Sequence, residues 1–357
     1  MDLKDFYKDK RVFVTGHTGF KGTWLLAILK HLGAKVHGYS LVPGEVSMFE
    51  MIEADTLCSN TYHDIMDLDT LKKVLLEFQP EIVFHLAAQS LVYESYRQPL
   101  ATFEVNSIGT AHVLEALRLL GKKCTAVMIT TDKVYLNTGA GKPFVEEDAL
   151  GGFDPYSASK AACEMVVNSY RHSFFHPAKY EEHEKSVATA RSGNVIGGGD
   201  WSEDRIVPDI FRAMAKKAPV ELRNPSATRP WQHVLEPLAG YLVLAKHLHH
   251  SFEPLNEGVA WNFGPTDENH TVMELVQKII DFYGSGRIQT GSTPQYYESS
   301  FLRLDSTKAQ ELLGWSPQLD FDQTVKLTVD WYQEFLLAPK SIYDFTMRQV
   351  HEYFDSL

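Results

Sequence analysis

Residues 124–137 read CTAVMITTDKVYLN. An apolar β-type run ends in Thr130-Thr131-Asp132-Lys133: two hydroxyls, a carboxylate and an ammonium in a row. A plain loop would carry Gly, Asn or Pro there. Four side chains able to hold or move a proton at the carboxyl end of a strand mark a candidate site. Downstream, Tyr156-Ser157-Ala158-Ser159-Lys160 sets a phenol and an ammonium at i,i+4, on one helix face. An ammonium beside a phenol favours the phenolate, so Tyr156 could act as a base near neutral pH. Taken singly, the Tyr/Lys pair also fits surface stacking, Asp132 a turn cap and Lys133 an electrostatic support. A third constellation stands near the N-terminus, where Gly16-His17-Thr18-Gly19-Phe20-Lys21-Gly22 gives a GxxGxxG spacing. Glycines there let the backbone turn sharply and approach a pyrophosphate, which then sits on a helix N-terminus. The turn follows a strand and opens a helix, the context that dinucleotide binding requires.

The elements that must position these groups alternate. Strands are expected at Arg11–Thr15, Lys35–Tyr39, Thr61–Ile65, Glu81–Leu86, in the opening stretch, and at Ser186–Arg191. Helices are expected at about Thr23–Leu32, from an Asp67 cap to Glu77, at Pro99–Leu120 and at Pro155–Phe175. Such alternation predicts an α/β fold, a doubly wound parallel Rossmann sheet. KYEEHEK (179–185) reads as a solvated loop. Beyond Val195 the alternation weakens and Pro and Gly become frequent, which marks a smaller, mixed α/β C-terminal substrate lobe. The expected division is 1–194 for the dinucleotide-binding domain, with a return near 232–263 that includes a late strand at Val259–Phe263. Residues 195–231 and 264–357 form the second lobe, with helices near Val272–Tyr283, Thr307–Leu313 and Asp322–Leu337.

Composition narrows the function. The chain has 357 residues, 44% apolar and 22% charged, as soluble globular proteins do. A net charge of −12 argues against non-specific nucleic-acid binding, which needs a basic footprint. Cys58, Cys124 and Cys163 are scattered, without a CxxC, so reduced thiols and a cytoplasmic location are expected. The start MDLKDFYKDKR is too charged for a signal peptide, and no apolar run is long enough to span a membrane. His247, His249 and His250 lack acidic or Cys neighbours at ligand spacing, so no metal is expected. Strand two ends in Tyr39-Ser40-Leu41, with neither the acid that binds a ribose hydroxyl nor an Arg for a 2′-phosphate. NAD is the expected cofactor. Asp64 could accept from its adenine amino group, or simply cap a turn.

GxxGxxG, HLAAQS (85–90), TTDK, YSASK and RSGNVIGGGDW (191–201) together resemble the extended short-chain dehydrogenase/reductases acting on nucleotide sugars. The likeness covers nearly the whole chain. RPWQHVLEPLAGYL (229–242) is similar to the 4,6-dehydratase branch that takes a CDP-sugar, and LRLDSTKAQELLGWSP (302–317) fits the family's C-terminal part. The resemblance implies CDP-glucose as substrate and an internal redox cycle: oxidation at C4, loss of water across C5 and C6, and hydride return to C6. It assigns Tyr156, with Lys160, to the C4 hydroxyl proton, Thr131 to the 4-oxygen, and Asp132 to the acid at C6. Lys133 stands where dTDP-sugar relatives have Glu, which leaves the C5 base open. A lysine is a base only in its neutral form, which desolvation or Lys160 nearby would favour. Cofactor contacts are implied for Gly16, His17, Thr18, Gly19, Phe20, Lys21, Gly22, Ser40, Asp64, Ile65, Leu86, Ala87, Ala88, Gln89 and Asn106, besides Tyr156 and Lys160. Substrate contacts are implied for Asn194, Arg205, Arg223, Arg229 and Arg303. Trp231 and His233 fit either a site or plain packing. Related enzymes dimerise through the two helices beside the active-site strand, so a homodimer, or a tetramer of two such pairs, is expected. Two other readings stand beside this one. A nucleotide-sugar 4-epimerase has no use for a second acid/base pair, and a non-catalytic NAD-binding protein has no use for intact Thr131, Tyr156 and Lys160.

Overall fold

The computed structural model describes residues 2–139, 141–250, 259–266, 270–291 and 302–355. Seven strands form its central sheet: β1 (Arg11–Thr15), β2 (Lys35–Ser40), β3 (Ser59–Tyr62), β4 (Ile82–His85), β5 (Cys124–Ile129), β6 (Lys185–Ser192) and β7 (Ala260–Phe263). Their spatial order is β7-β6-β5-β4-β1-β2-β3, and every pairing is parallel. The order reverses between β1 and β4, and open α/β sheets bind ligands at such a switch point. Strands β4, β5 and β6 are buried along their whole length, as a sheet covered on both faces requires.

Alternate residues of β1 feed two cores. Val12 and Val14 join α1 (Phe20–His31), and Phe13 faces α2 (Leu68–Phe78) with Leu71 and Leu75. The latter core also holds α3 (Gly109–Arg118) and α4 (Pro155–Ser173). The rest of the chain adds α5 (Ile206–Ala215), α6 (Leu235–His250), α7 (Val272–Tyr283), α8 (Phe321–Leu337) and α9 (Ile342–Phe354). Helix α6 packs against β5 and β6, and β7 adds beside β6. Glu236 of α6 accepts from the amides of Gln318 and Leu319 and from the Tyr353 hydroxyl, which ties α9 to the sheet-covering helix. The outward groups of β7 are taken by side chains: Glu146 accepts from the Asn262 amide at 2.8 Å, and Lys308 donates to the Ala260 carbonyl at 2.9 Å.

Three local expectations need correction. The third strand starts and stops earlier than 61–65, because Asp64 turns its carboxylate to the Met66 amide and ends the ladder. Residues 99–120 do not form one regular helix: Pro99–Phe103 runs into a π-helical stretch, Glu104–Ile108, before α3. The KYEEHEK segment is not a solvated loop. Tyr180–His183 is a short helix, Tyr180 is buried, and Lys185 opens β6 with its ammonium on the carbonyls of Lys122 and His183.

A buried ion pair joins the layers. Glu164 of α4 receives the Arg191 guanidinium of β6 in a two-point contact at 2.9 and 3.0 Å. It also accepts from Thr130 at 2.5 Å and Thr189 at 2.7 Å. Arg191 in turn donates to the Tyr135 hydroxyl and the Glu146 carbonyl, and Tyr135 donates to Asn262 of β7. Removing one partner of such a pair leaves a buried charge without compensation. Glu164→Gln is therefore expected to lower unfolding free energy by about 3–5 kcal/mol. Urea denaturation measures this, and a loss within the range of an exposed pair would show that the layers are joined by something else.

Candidate active site

A cleft of about 710 Å³ runs along the carboxyl ends of the strands and on to Arg223, Arg229 and Trp231. That volume lies in the range of small-molecule sites. Thr131, Asp132, Lys133, Tyr156 and Lys160 all line it. Asp154 caps α4 by accepting from the Ser157 amide at 2.9 Å, and Pro155 fits the first turn, so Tyr156 enters the helix in a fixed orientation. Thr131, two residues past β5, is extended, and its hydroxyl is paired with the Tyr156 phenol and with Asp132 at 3.0 Å. Burial pushes the phenol up, opposed by the Thr131 hydroxyl and the Arg205 charge. The ammonium of Lys160 is turned to the Ile129 carbonyl at 3.1 Å, and burial lowers it. The Arg205 charge thus opposes the burial of the phenol, while the Lys160 ammonium rests on a backbone carbonyl.

Asp132 is fully buried. Its Oδ1 lies 3.6 Å from the Lys133 ammonium, and its Oδ2 has no hydrogen-bond partner. A buried carboxylate oxygen without a donor is costly. The backbone of Gly193 presses on this carboxyl: a Cβ there would fall 1.7 Å from Oδ2. Asn194, the next residue, lines the cleft at φ 38°, in the left-handed region that Asn tolerates better than most residues.

The glycine turn fits a dinucleotide on two counts. A Cβ at Gly16 (φ 73°) would meet the Ala87 amide at 2.6 Å, and one at Gly22 would meet the Gly16 carbonyl at 2.2 Å. Both glycines are needed for close backbone packing between β1, β4 and α1. A Cβ at Gly19 would meet only the Gly16 carbonyl, at 3.4 Å, so this glycine faces the open cleft at the start of α1. Thr18, Phe20, Lys21, Ser40, Asp64, Ile65, Leu86, Ala87 and Ala88 also line the cleft. Thr18 pairs with Ser40 at 2.9 Å.

Three of the expected cofactor residues lie behind the wall. His17 is fully buried against Phe49 and Tyr62, with Nε2 on Asn60, and burial pushes it down to about 4. A Cβ at Gly38 would strike its ring, so it fills space beneath β2. Asn106, in the π-helical stretch, exchanges hydrogen bonds with the Gln89 backbone and donates to Ser159 of α4 at 2.8 Å. Gln89 spends its own side chain on Leu91 and Thr102. Asn106 and Gln89 brace the wall without lining it.

Arg205, Arg223 and Arg229 reach the cleft; Arg303 does not line it, and its carbonyl instead receives the Phe144 amide. Arg205 bridges Asp200 at 3.0 Å and Ser90 at 3.1 Å. Arg223 stacks over Tyr93 and pairs with Asp204 and Asp209. Arg229 is buried and donates to the Thr228 carbonyl. Trp231 lines the cleft, and His233 is buried against Trp24. Sequence reasoning passed over Ser192, Gly193 and Tyr241. A Ser-Gly pair ending a buried strand was the available signal for the first two. Tyr241 offered none, standing mid-helix among apolar neighbours.

Comparison with known proteins agrees with this geometry. The chain is 44% identical over 338 residues to a curated CDP-glucose 4,6-dehydratase of Salmonella typhimurium, covering 93% of each protein. It superposes with a TM-score of 0.77 and 26% identity on the Thermus thermophilus UDP-glucose 4-epimerase solved with NAD, covering 90% of this chain and 99% of that one. A Bacillus anthracis dTDP-glucose 4,6-dehydratase solved with NAD shares the fold, with a TM-score of 0.75 at 20% identity over 94% and 99% of the two chains. The family model for GDP-mannose 4,6 dehydratase matches residues 13–328. That match runs from the first strand into α8, and it makes the chain a member of the GDP-mannose 4,6 dehydratase family, within the extended short-chain dehydrogenase/reductases.

Proposed function

We propose that the protein is a CDP-glucose 4,6-dehydratase, an NAD-dependent hydro-lyase converting CDP-D-glucose to CDP-4-dehydro-6-deoxy-D-glucose and water. Support comes from the identity to the Salmonella protein over nearly the full chain. Within the site it comes from one observation: an acid and a base, Asp132 and Lys133, 3.6 Å apart beside the Thr131–Tyr156 pair. An epimerase has no use for that second pair. The Gly19 end of α1 would hold the cofactor diphosphate, with Ser40 and Asp64 at its adenosine end and Tyr156 and Lys160 at its nicotinamide. When bound, NAD supplies the acceptor of the C4 hydride and later its donor to C6.

Tyr156 takes the C4 hydroxyl proton, and Thr131 holds the C4 oxygen. The new ketone acidifies the C5 proton, and elimination then needs a base at C5 and an acid at C6. Written as an ion pair, Lys133 and Asp132 are an ammonium and a carboxylate 3.6 Å apart. Passing one proton from Lys133 to Asp132 yields both species the elimination requires, a neutral amine and a carboxylic acid. Excluding water around the bound sugar favours this neutral pair over the charged one. Lys133 then takes the C5 proton while Asp132 protonates the departing C6 hydroxyl, and the pair is charged again. Arg205, Arg223 and Arg229 bind the substrate diphosphate, in exchange for their present partners. Leu100 (70% exposed), Ile108 (47%) and Met165 (60%) lie on the adjoining Pro99–Ile108 segment and α4. Those helices form a homodimer face in this reading.

Incubation with CDP-glucose is expected to give a product lighter by one water, with alkaline enone absorbance and no net NADH. A C4-inverted product of unchanged mass would instead favour the epimerase. Asp132→Asn should slow product formation by about 10²–10⁴-fold while sparing single-turnover cofactor reduction at 340 nm. Gly193→Ala, which displaces the same carboxyl without removing it, should act in the same sense. Equal loss of both signals in Asp132→Asn would remove Asp132 from the elimination step. Met165→Glu should halve the mass measured by light scattering, and an unchanged mass would place the interface elsewhere.

A further inference from the structure

Lys21 sits in the first turn of α1, inside the glycine turn, yet its side chain does not run to solvent. It crosses the cleft floor to the end of β6. There the ammonium donates to Ser192 Oγ and Tyr241 Oη, each at 3.0 Å, and those two hydroxyls lie 2.6 Å apart. The ammonium also lies 5.1 Å from the centre of the Tyr241 ring. Among the described residues it makes no ion pair. The charged groups facing it are Asp132 beyond β5, Lys160 of α4 and Arg205 before α5, and these belong to the same end of the cleft as Tyr156. Burial, then Arg205, pushes the ammonium down to about 7, with Asp132 opposing. This is therefore a cation at the reaction end of the cleft, held by neutral hydroxyls.

The carbinol that gives its proton to Tyr156 also gives up the hydride, so the nicotinamide must lie at that same end. The oxidised ring is cationic and the reduced ring neutral. We propose that Lys21 tunes the redox balance of the bound cofactor: its fixed ammonium disfavours the oxidised ring relative to the reduced one and so favours the C4 oxidation. Oxidising a secondary alcohol with a nicotinamide is uphill in neutral water, and a fixed cation offsets part of that. The proposal rests on the reading above in taking NAD as cofactor and Tyr156 as the base at the carbinol, and its test uses no sugar.

The ratio of dissociation constants for NAD and NADH reads the effect directly. Both forms carry the same diphosphate and adenosine, so pH effects there cancel. The full chain, freed of nucleotide, is titrated with each form at about pH 6 and about pH 8.5, on either side of the lysine's own range. Deprotonation of Lys21 as pH rises removes the repulsion, so the wild-type ratio should fall. At the lower pH the wild-type ratio should exceed that of Lys21→Met by about tenfold, equivalent to about 30 mV for two electrons. At the higher pH the two should converge, and Lys21→Arg, charged throughout, should keep the high ratio at both. Equal wild-type and Met ratios at the lower pH would overturn the proposal. So would equal ratios in the wild type and in Lys21→Gln at the lower pH, a comparison that decides even if Lys21→Met fails to fold. A protein that shows the expected ratios but turns CDP-glucose into an epimer would lose the dehydratase reading and keep this one.

Discussion

The Glu164 carboxylate is the constraint on which the reaction end of the cleft depends. Taking a carboxylate and a guanidinium out of water costs several kcal/mol per ion unless every remaining polar position is used. Here the carboxylate receives two nitrogens of Arg191 and two threonine hydroxyls, one from the end of β5 and one from β6. Three secondary-structure elements are thereby set in one register. Tyr156, Lys160 and Glu164 follow one another at i,i+4 along a single face of α4. Thr130 reaches Glu164 and Thr131 reaches Tyr156, two points on that same face. Fixing Glu164 therefore fixes how phenol and threonine meet. Such satisfaction makes the network a specifier of geometry, whatever its net worth in stability.

Above that network, charge is distributed unevenly. Lys21, Lys133, Lys160 and Arg205 line the cleft together with one fully buried carboxylate, Asp132, while the Asp200, Asp204 and Asp209 carboxylates hold Arg205 and Arg223. The Gly193 backbone keeps Asp132 in contact range of Lys133. A proton can thus move between neighbours without a large rearrangement, and the arginines begin in defined positions rather than in water.

How much of this was legible in the sequence follows from how local each signal is. The sheet was legible because its strands are apolar runs between helices with clear caps, such as Asp67 and Asp154. TTDK, the Tyr/Lys pair and the glycine turn were legible because their chemistry is set by spacing within one segment. Helix α6 was not, since LEPLAGYLVLAKHLHH is apolar on nearly every face and lacks an amphipathic period. The brace by Asn106 was read as a direct cofactor contact, because only the fold shows that a π-helical turn points it at Gln89 and Ser159. Arg303 was named for its motif, and a motif does not show which way the chain runs past Phe144. Lys21 was seen as part of a turn, and only the long-range meeting with Ser192 and Tyr241 shows what its ammonium does.

The two margins of the sheet bear on how the molecule avoids its neighbours. At one margin β3 is only four residues long and polar, Ser59-Asn60-Thr61-Tyr62. At the other, Glu146 and Lys308 already occupy the outward amide of Asn262 and carbonyl of Ala260. An exposed, long, flat edge is a template for pairing with another chain, and short or side-chain-capped edges deny it. Seven strands are thus a closed count. Neither margin of this sheet therefore offers a long bare edge from which ribbon-like growth could start.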